Sequence, residues 1–364
     1  MTDTARAEQA PAPAAAPVAR DPLWDNLRWV AITLVVVGHT IEVPNQNDLA
    51  FGLYLTIYAF HMPLFAFAAG RFAKAERFTT REGAVLLRQV VAPYVVFQVL
   101  WAAMGWVQGS EVRAVDFATP SWHLWFLVAL AVWRLTLPVL AATRFPVTIA
   151  VVISCASGLW ATVGTPMAAS RTLVFLPFFV AGWALHQRGW STRAIDVLRR
   201  PAVRVLALLV MAGTVAGSIR YADFAREYRL RKWVQGEWNY DRLQFTEWWT
   251  PGVRLAAIVV AFGLIACAIA LVPRGEIAIS RGGRRTMTVY LLHLFPIAVA
   301  GRQGWFLADV NTNTQVLVLV AVAVAWSALL STRAVEWLAS PLVSPPVEWL
   351  LRPAERRGRR RRAR

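Results

Sequence analysis

Ten long apolar runs constrain this chain more than any other feature of its sequence. Each is long enough, or nearly so, to cross roughly 30 Å of hydrocarbon as an α-helix. Backbone inside a bilayer must satisfy its own hydrogen bonds, so helices are the expected structure. We therefore predict an all-α membrane bundle of about ten transmembrane helices, with approximate bounds 27–43, 50–70, 86–107, 122–142, 147–165, 171–187, 202–219, 252–272, 285–302 and 314–332.

The composition supports a polytopic membrane protein over a soluble one. Of the 364 residues, 57% are hydrophobic, and the mean hydropathy is +0.46. An ordinary soluble domain is less apolar than this. The two cysteines, Cys155 and Cys267, both lie in apolar runs. They provide neither a disulfide framework nor the spacing of a metal site, so they do not indicate a redox compartment.

The distribution of basic residues predicts the orientation. Arginine supplies 36 of the 38 basic residues, and the formal net charge is +17. A nucleic-acid surface is not expected, because most arginines lie in short loops and in the C-terminal tail. Arg-rich and Arg-poor loops alternate, which places both termini in the cytoplasm of a multi-pass plasma-membrane or inner-membrane protein. The side chains that this orientation places inside are Arg71, Lys74, Arg77, Arg81, Arg88, Arg144, Arg188, Arg193, Arg199, Arg200, Arg204, Arg274, Arg281, Arg284 and Arg285.

Three segments differ from the bundle in composition. Residues 1–20 are rich in Ala and Pro and are predicted to be a disordered cytoplasmic lead rather than a cleaved signal. The membrane domain is predicted over 21–340, and residues 341–364 form a basic cytoplasmic tail that is expected to contact anionic lipid. Residues 220–251 form a predicted external loop with four tryptophans. This loop is either an interfacial segment, with aromatic rings at headgroup level, or a lid over an outward-facing site.

Charged residues inside the first apolar run are the strongest pointer to chemistry. Arg28 and His39 are eleven residues apart, about three helical turns, so they share one helix face, and Glu42 lies on that face too. A carboxylate near His39 would orient the ring and raise its basicity, as a general base requires. The structural alternatives are a snorkelling anchor at Arg28 and a helix-packing hydrogen bond at His39.

Three further histidines lie in or at the edge of apolar runs: His61, His123 and His293. Each alone is more often a packing residue, but together with His39 they predict a polar cavity inside the bundle. The sequence has no motif of a metal site, a serine or cysteine nucleophile, or a Walker loop, so no resident metal is predicted.

Several of these segments together resemble the acyltransferase-3 family of integral membrane O-acyltransferases. The stretch "DNLRWVAITLVVVGHTIE" is similar to the first-span signature of that family, an Arg followed eleven positions later by His. In order along the chain, further similarities are "FHMPLFAFAAGRF", "RQVVAPYVVF", "HLWFLVAL" and "TVYLLHLF". "HLWFL" most resembles the fucose-4-O-acetylase-like branch. Two departures are Arg71 after the second-span glycine, where an aromatic residue is usual, and the lack of an appended extracytoplasmic hydrolase-like domain.

The resemblance implies transfer of an acyl group, commonly acetyl from acetyl-CoA, to a hydroxyl of a carbohydrate or glycolipid. On this chain it implies three catalytic residues, with His39 as the base and Arg28 and Glu42 as the other two. Arg28, together with Arg71, Arg81 and Arg88, is expected to bind the phosphates of coenzyme A, whose oxygens match guanidinium groups. His61, His123 and His293 are expected to contact substrate.

Two other functions are compatible with the sequence. One is a transporter or flippase in which buried Arg and His line a substrate path, although the matched halves expected of such proteins are not visible. The other is a non-catalytic membrane protein whose basic tail binds a partner or lipid, which leaves the four histidines unexplained.

Overall fold

A computed structural model describes residues 20–42, 46–76, 79–109, 114–164, 166–303 and 310–351. All regular elements within these ranges are helices, which confirms the predicted all-α class. Apart from Arg20, the predicted lead lies outside the described residues. So do Arg77 and all of the basic tail after residue 351.

Each of the ten apolar runs contains a helix, and we label these α1–α10. Their bounds are Pro22–Thr40, Asp48–Arg71, Thr80–Val107, Trp122–Ala141, Pro146–Ser157, Pro166–Gln187, Pro201–Arg220, Thr250–Leu271, Thr286–Gly301 and Asn313–Leu330. Seven helices (α2, α3, α4, α6, α7, α8 and α10) are long and apolar enough to cross a membrane. Helix α1 carries more polar residues, and α5 and α9 are shorter. That the chain crosses the membrane ten times, with both termini in the cytoplasm, therefore stays a prediction.

Local signals in the sequence explain where several helices begin. The side chain of Asp21 accepts a hydrogen bond from the first turn of α1, and Pro22 follows at the position where a missing N–H costs nothing. Asn47 caps α2 in the same way. Helices α3 and α10 begin with capping boxes, at Thr79 and Thr312. In a capping box, the residues at the two ends of the first turn accept hydrogen bonds from each other's backbone N–H groups.

Two hydrophobic clusters form the core, and helices α1, α2 and α4 contribute to both. The first cluster is completed by α5, α6 and α8, and the second by α3, α9 and α10. The three shared helices are the ones that carry His39, His61 and His123. These three histidines therefore lie on helices that pack into both hydrophobic clusters.

Helices α2 and α6 pack backbone to backbone at the centre of the bundle. Gly70 of α2 faces the carbonyl of Phe179, and Gly182 of α6 faces the carbonyl of Phe67. A Cβ atom at either glycine would overlap that carbonyl oxygen. Small residues allow such close approach in membrane bundles, where packing rather than hydrophobic burial drives helix association.

Helix α9 is interrupted at His293. The two halves, Thr286–Leu292 and Leu294–Arg302, meet there, and Pro296 follows within one turn. The His293 Nδ1 atom lies 3.1 Å from the carbonyl oxygen of Val289 and 2.7 Å from that of Tyr290, so its N–H donates to backbone oxygens at the break.

The predicted external loop is folded and contains three short helices, Ala222–Glu227, Leu230–Gln235 and Tyr240–Leu243. Trp233, Tyr240 and Leu243 form a small core of its own. Trp248 and Trp249 are exposed instead, as an interfacial segment requires. The remaining short helices are Trp190–Leu198, Ala278–Gly283 and Arg333–Val343.

Candidate active site

A cavity of about 900 Å³ lies at the end of the bundle where α1 ends. Helices α1, α2, α3, α4, α6 and α9 form its wall, and the segment 232–237 of the loop lies over it. Four of the predicted site residues line this cavity: His39, Glu42, His61 and His123. The loop therefore contributes lining residues to the site, while its exposed tryptophans fit the interfacial alternative.

His39 lies in the last turn of α1, with one ring nitrogen engaged. Its Nδ1 atom is 3.4 Å from Oε2 of Glu42 and 3.2 Å from the hydroxyl oxygen of Tyr58. Gly38 makes room for this arrangement, because a Cβ there would lie 2.9 Å from the Tyr58 ring. With the proton on Nδ1 facing a carboxylate, the lone pair is on Nε2, which bonds no described residue. His39 thus has the geometry of an oriented base.

His61 presents a similar tautomer deeper in the wall. Its Nδ1 atom donates to the carbonyl oxygen of Ile57 at 2.7 Å, one turn earlier in α2. The lone pair is therefore on Nε2, which makes this nitrogen a hydrogen-bond acceptor. The Tyr58 ring packs edge-on against His61, with centroids 4.6 Å apart. His61 is therefore suited to accept a hydrogen bond from a hydroxyl group rather than to bind an anion.

The ring of His293 contacts those of both His39 and His123, tilted against the first and edge-on to the second. The His293 ring centroid is 5.4 Å from that of His39 and 5.3 Å from that of His123. His293 is fully buried and does not line the cavity; among the described residues, its Nε2 has no hydrogen-bond partner. Neither ring nitrogen of His123 has a described partner, so a neutral His123 has one N–H donor to offer.

Aromatic and ionic side chains line the mouth of the cavity. The rings of Trp101 and Trp122 are 5.4 Å apart, and the buried indole N–H of Trp101 has no described partner. Arg171 forms a 2.9 Å ion pair with Glu237 of the loop. Burial and the neighbouring charge of Arg231 lower the pKa of the Lys232 ammonium.

A separate basic cluster lies at the other end of α1. The Arg28 guanidinium is 4.5 Å from the Phe72 ring centroid and 3.6 Å from the Asp25 carboxylate. The Arg71 guanidinium is 5.9 Å from the same Phe72 ring, and it lies 3.1 Å from Nδ1 of His186. No carboxylate among the described residues forms an ion pair with Arg71. Its guanidinium can therefore donate further hydrogen bonds to an anionic ligand.

The other two arginines predicted to bind coenzyme A lie elsewhere. Arg88 forms a 3.2 Å ion pair with Glu348, beyond the last main helix. Arg81 is exposed and forms no ion pair within the described ranges. The structure thus brings Arg71 to Arg28 and does not bring Arg81 or Arg88 there.

A packed layer separates the two ends of α1. The cavity reaches inward along this helix as far as Val35. Between Arg28 and Val35, Ala31 and Ile32 are each 1% exposed. Apolar packing therefore lies along α1 between Arg28 and the cavity beside His39.

Sequence reasoning missed the residues that complete the site from other segments. Tyr58 touches His39, Arg231 binds Glu42, and Arg171 binds Glu237. Tyr58 had a detectable signal, because it precedes His61 by three residues on the same helix face. Arg171 and Arg231 had no detectable sequence signal beyond their charge, since both form ion pairs with residues far away in the chain.

Comparison with known proteins identifies one matching family. A model described as an acyltransferase domain (Acyl_transf_3) matches residues 22–332, which includes nearly all of the helical bundle. A search of curated proteins finds no match, and neither does a search of solved structures. Within the described part of the chain, no three or more His, Cys, Asp or Glu side chains are grouped as metal ligands would be.

Proposed function

The chain belongs to the acyltransferase-3 family, and from that premise we propose that this membrane acyltransferase moves an acetyl group from acetyl-CoA to a hydroxyl of a carbohydrate or glycolipid. The observation that carries the proposal is the orientation of His39, whose Nδ1 faces Glu42 and Tyr58 beside a large cavity. A base whose free lone pair is available beside a cavity is what activation of a hydroxyl needs, and the His39 side chain is 22% exposed.

The chemical step follows from this orientation. His39 Nε2 takes the proton of the acceptor hydroxyl while its oxygen attacks the thioester carbonyl carbon. The C–S bond then breaks, and the coenzyme A thiolate receives that proton from the imidazolium. His123 offers the N–H that stabilises the carbonyl oxygen as negative charge develops on it. Atoms and charge balance with no further reactant.

The cavity mouth supports a sugar as acceptor. Trp101, Trp122 and Trp125 line it, together with Ser121 and Gln235. Flat aromatic faces pack against the C–H faces of sugar rings, and polar side chains bind their hydroxyls. The resemblance of "HLWFL" to the fucose-4-O-acetylase-like branch favours the same class of acceptor.

The basic cluster supports a phosphate-bearing donor at the opposite end. Arg28 is eleven residues from His39, or roughly 16 Å along α1. Coenzyme A has its phosphates and its thioester at opposite ends of a long pantetheine arm, so phosphates at Arg28 and Arg71 would direct that arm toward the cavity. The arm has to displace side chains of the packed layer to reach His39.

The orientation of the protein is part of the proposal. The Arg-rich short loops predict a plasma-membrane or inner-membrane protein with both ends in the cytoplasm. The basic cluster then takes its donor from the cytoplasm, and the cavity takes its acceptor from the outer side. The tail after residue 351 carries eight arginines and would contact anionic lipid headgroups.

Replacing Arg71 by Gln is expected to weaken coenzyme A binding by about 10- to 100-fold, because a charge-assisted hydrogen bond contributes about 1.5–3 kcal/mol. Isothermal titration of nanodisc-embedded protein with coenzyme A measures this. Arg81→Gln removes an exposed arginine with no ion pair in the described ranges and is the matched control. Equal losses in both variants would contradict the assignment of the phosphates to Arg71.

The direct test is transfer of radiolabelled acetyl from acetyl-CoA to a panel of sugars and glycolipid extracts by protein in nanodiscs. Label is expected to reach an acceptor only in the presence of the protein. Well-folded protein that neither binds coenzyme A nor transfers label to any acceptor would overturn the proposed function.

A further inference from the structure

Two side chains from distant parts of the sequence bind Glu42 at once. One carboxylate oxygen, Oε2, lies 3.4 Å from Nδ1 of His39, and the other, Oε1, accepts a 2.6 Å hydrogen bond from the Arg231 guanidinium. The side chains of Arg231 and Glu42 are 21% and 31% exposed, so this ion pair is largely shielded from water. A carboxylate held at both oxygens cannot rotate freely, and its orientation toward His39 depends on both contacts.

Arg231 is itself held in place by the wall of the cavity. Its guanidinium lies 4.9 Å from the ring centroid of Tyr54, and Tyr54 stacks on Tyr58 with centroids 3.9 Å apart. The amide of Gln235, one turn further along the loop helix, donates a 2.7 Å hydrogen bond to the Tyr54 hydroxyl. Arg231 therefore adjoins both groups that contact Nδ1 of His39, Glu42 directly and Tyr58 through Tyr54.

A second arginine of the same loop provides a natural comparison. Arg226 forms ion pairs with Asp48 at 2.7 Å and with Asp223 at 2.9 Å. It also stacks on Phe51 of α2, at 4.6 Å from the ring centroid. Both arginines contact an aromatic ring of α2. The acidic partner of Arg231 is Glu42, just after α1, whereas Arg226 pairs with Asp48 of α2 and with Asp223 of the loop. Tethering the loop and orienting Glu42 are therefore separable.

We propose that Arg231 is a positioning residue of the active site, which acts on His39 by holding the Glu42 carboxylate against Nδ1. The inference rests on the proposed function and adds to it a residue from the covering loop. It follows that His39 is fully oriented only while the helix Leu230–Gln235 lies over the cavity. Removal of the hydroxyl proton is thereby coupled to the closed position of the loop.

The test compares acetyl transfer by wild type, Arg231→Met, Arg231→Lys and Arg226→Met, each in nanodiscs. Arg231→Met is expected to lower kcat by about 10- to 100-fold, since displacing a catalytic group by about 1 Å has an effect of that size. KM for acetyl-CoA is expected to stay at the wild-type value, because the donor cluster lies at the other end of α1. Arg231→Lys keeps the charge and is expected to recover part of the loss, and Arg226→Met is expected to stay within about threefold of wild type.

A double mutant separates positioning from a general structural effect. If Arg231 acts through Glu42, Arg231→Met will lower kcat no further in a Glu42→Gln background. The proposal is overturned by wild-type kcat in Arg231→Met, by an equal loss in Arg226→Met, or by the same fold-loss in both backgrounds. A wild type that transfers no acetyl overturns the proposed function and this inference with it, whereas the other three outcomes leave the proposed function standing.

Discussion

Protein with His39→Asn is expected to transfer acetyl at about 10⁻² to 10⁻⁴ of the wild-type kcat, because a positioned general base contributes a factor of about 10² to 10⁴. Asparagine keeps a polar side chain of similar size but has no lone pair of comparable basicity. The affinity for coenzyme A is expected to be unchanged, since Arg28 of the donor cluster lies roughly 16 Å away along α1. Single-turnover transfer of radiolabelled acetyl measures the loss.

The control for this variant is His186→Asn. His186 is the remaining histidine of the chain and does not line the cavity; it contacts Arg71 at 3.1 Å. We expect this variant to keep its kcat and at most to alter KM for acetyl-CoA. Transfer by His39→Asn at the wild-type rate, from protein that binds coenzyme A normally, would remove His39 from the reaction.

The second large effect concerns the stability of the bundle rather than the reaction. Gly182→Ala is expected to lower the free energy of unfolding by about 3 kcal/mol, at the upper end of the usual range for overpacked sites. The added Cβ would overlap the carbonyl oxygen of Phe67, and only movement of α2 away from α6 relieves the overlap. Denaturant titration in detergent micelles, followed by helical circular dichroism, measures the change.

A glycine in an open position is the matched control for this effect. Gly213 lies in α7, and a Cβ built there meets no atom within 4 Å. Gly213→Ala is expected to change stability by no more than about 1 kcal/mol, and in the stabilising direction, because alanine favours the helical backbone. If both variants lost the same stability, close approach of α2 and α6 would not be the cause.

Much of the fold could be predicted because membrane helices have a strong sequence signal. Ten apolar runs predicted about ten transmembrane helices; each run contains a helix, and seven of these helices are long and apolar enough to cross a membrane. Hydropathy alone could not show that α9 breaks at His293, since both halves of this helix are equally apolar in sequence. It also could not show how α2 and α6 meet, because Gly70 and Gly182 are far apart in the chain and neither has a side chain to mark its role.

The sequence predicted histidines that line the cavity, but direct contacts between site residues were predictable only where the two residues are close in sequence. The spacing of His39 and Glu42 places them one turn apart, and the structure has them in contact. The partner of Glu42 on its other side is 189 residues away, and no periodicity connects positions so distant. The number of charges in a loop also could not show which arginines lie near Arg28. Arg71 contacts the same Phe72 ring as Arg28, whereas Arg88 forms an ion pair with Glu348.

The packed layer between Arg28 and Val35 has an electrical consequence. A membrane voltage falls mainly across low-dielectric material and very little across a water-filled cavity. In an energised membrane the field would thus concentrate on the layer that contains Ala31 and Ile32, roughly 10 Å deep along α1. His39 lies on the cavity side of that layer. In the proposed reaction it therefore takes and returns the proton outside the field, and the proton crosses the layer only within the neutral thiol of coenzyme A. We therefore expect the proposed acetyl transfer to be insensitive to the membrane potential, which otherwise changes the energy of a crossing charge by about 2.3 kcal/mol per 100 mV.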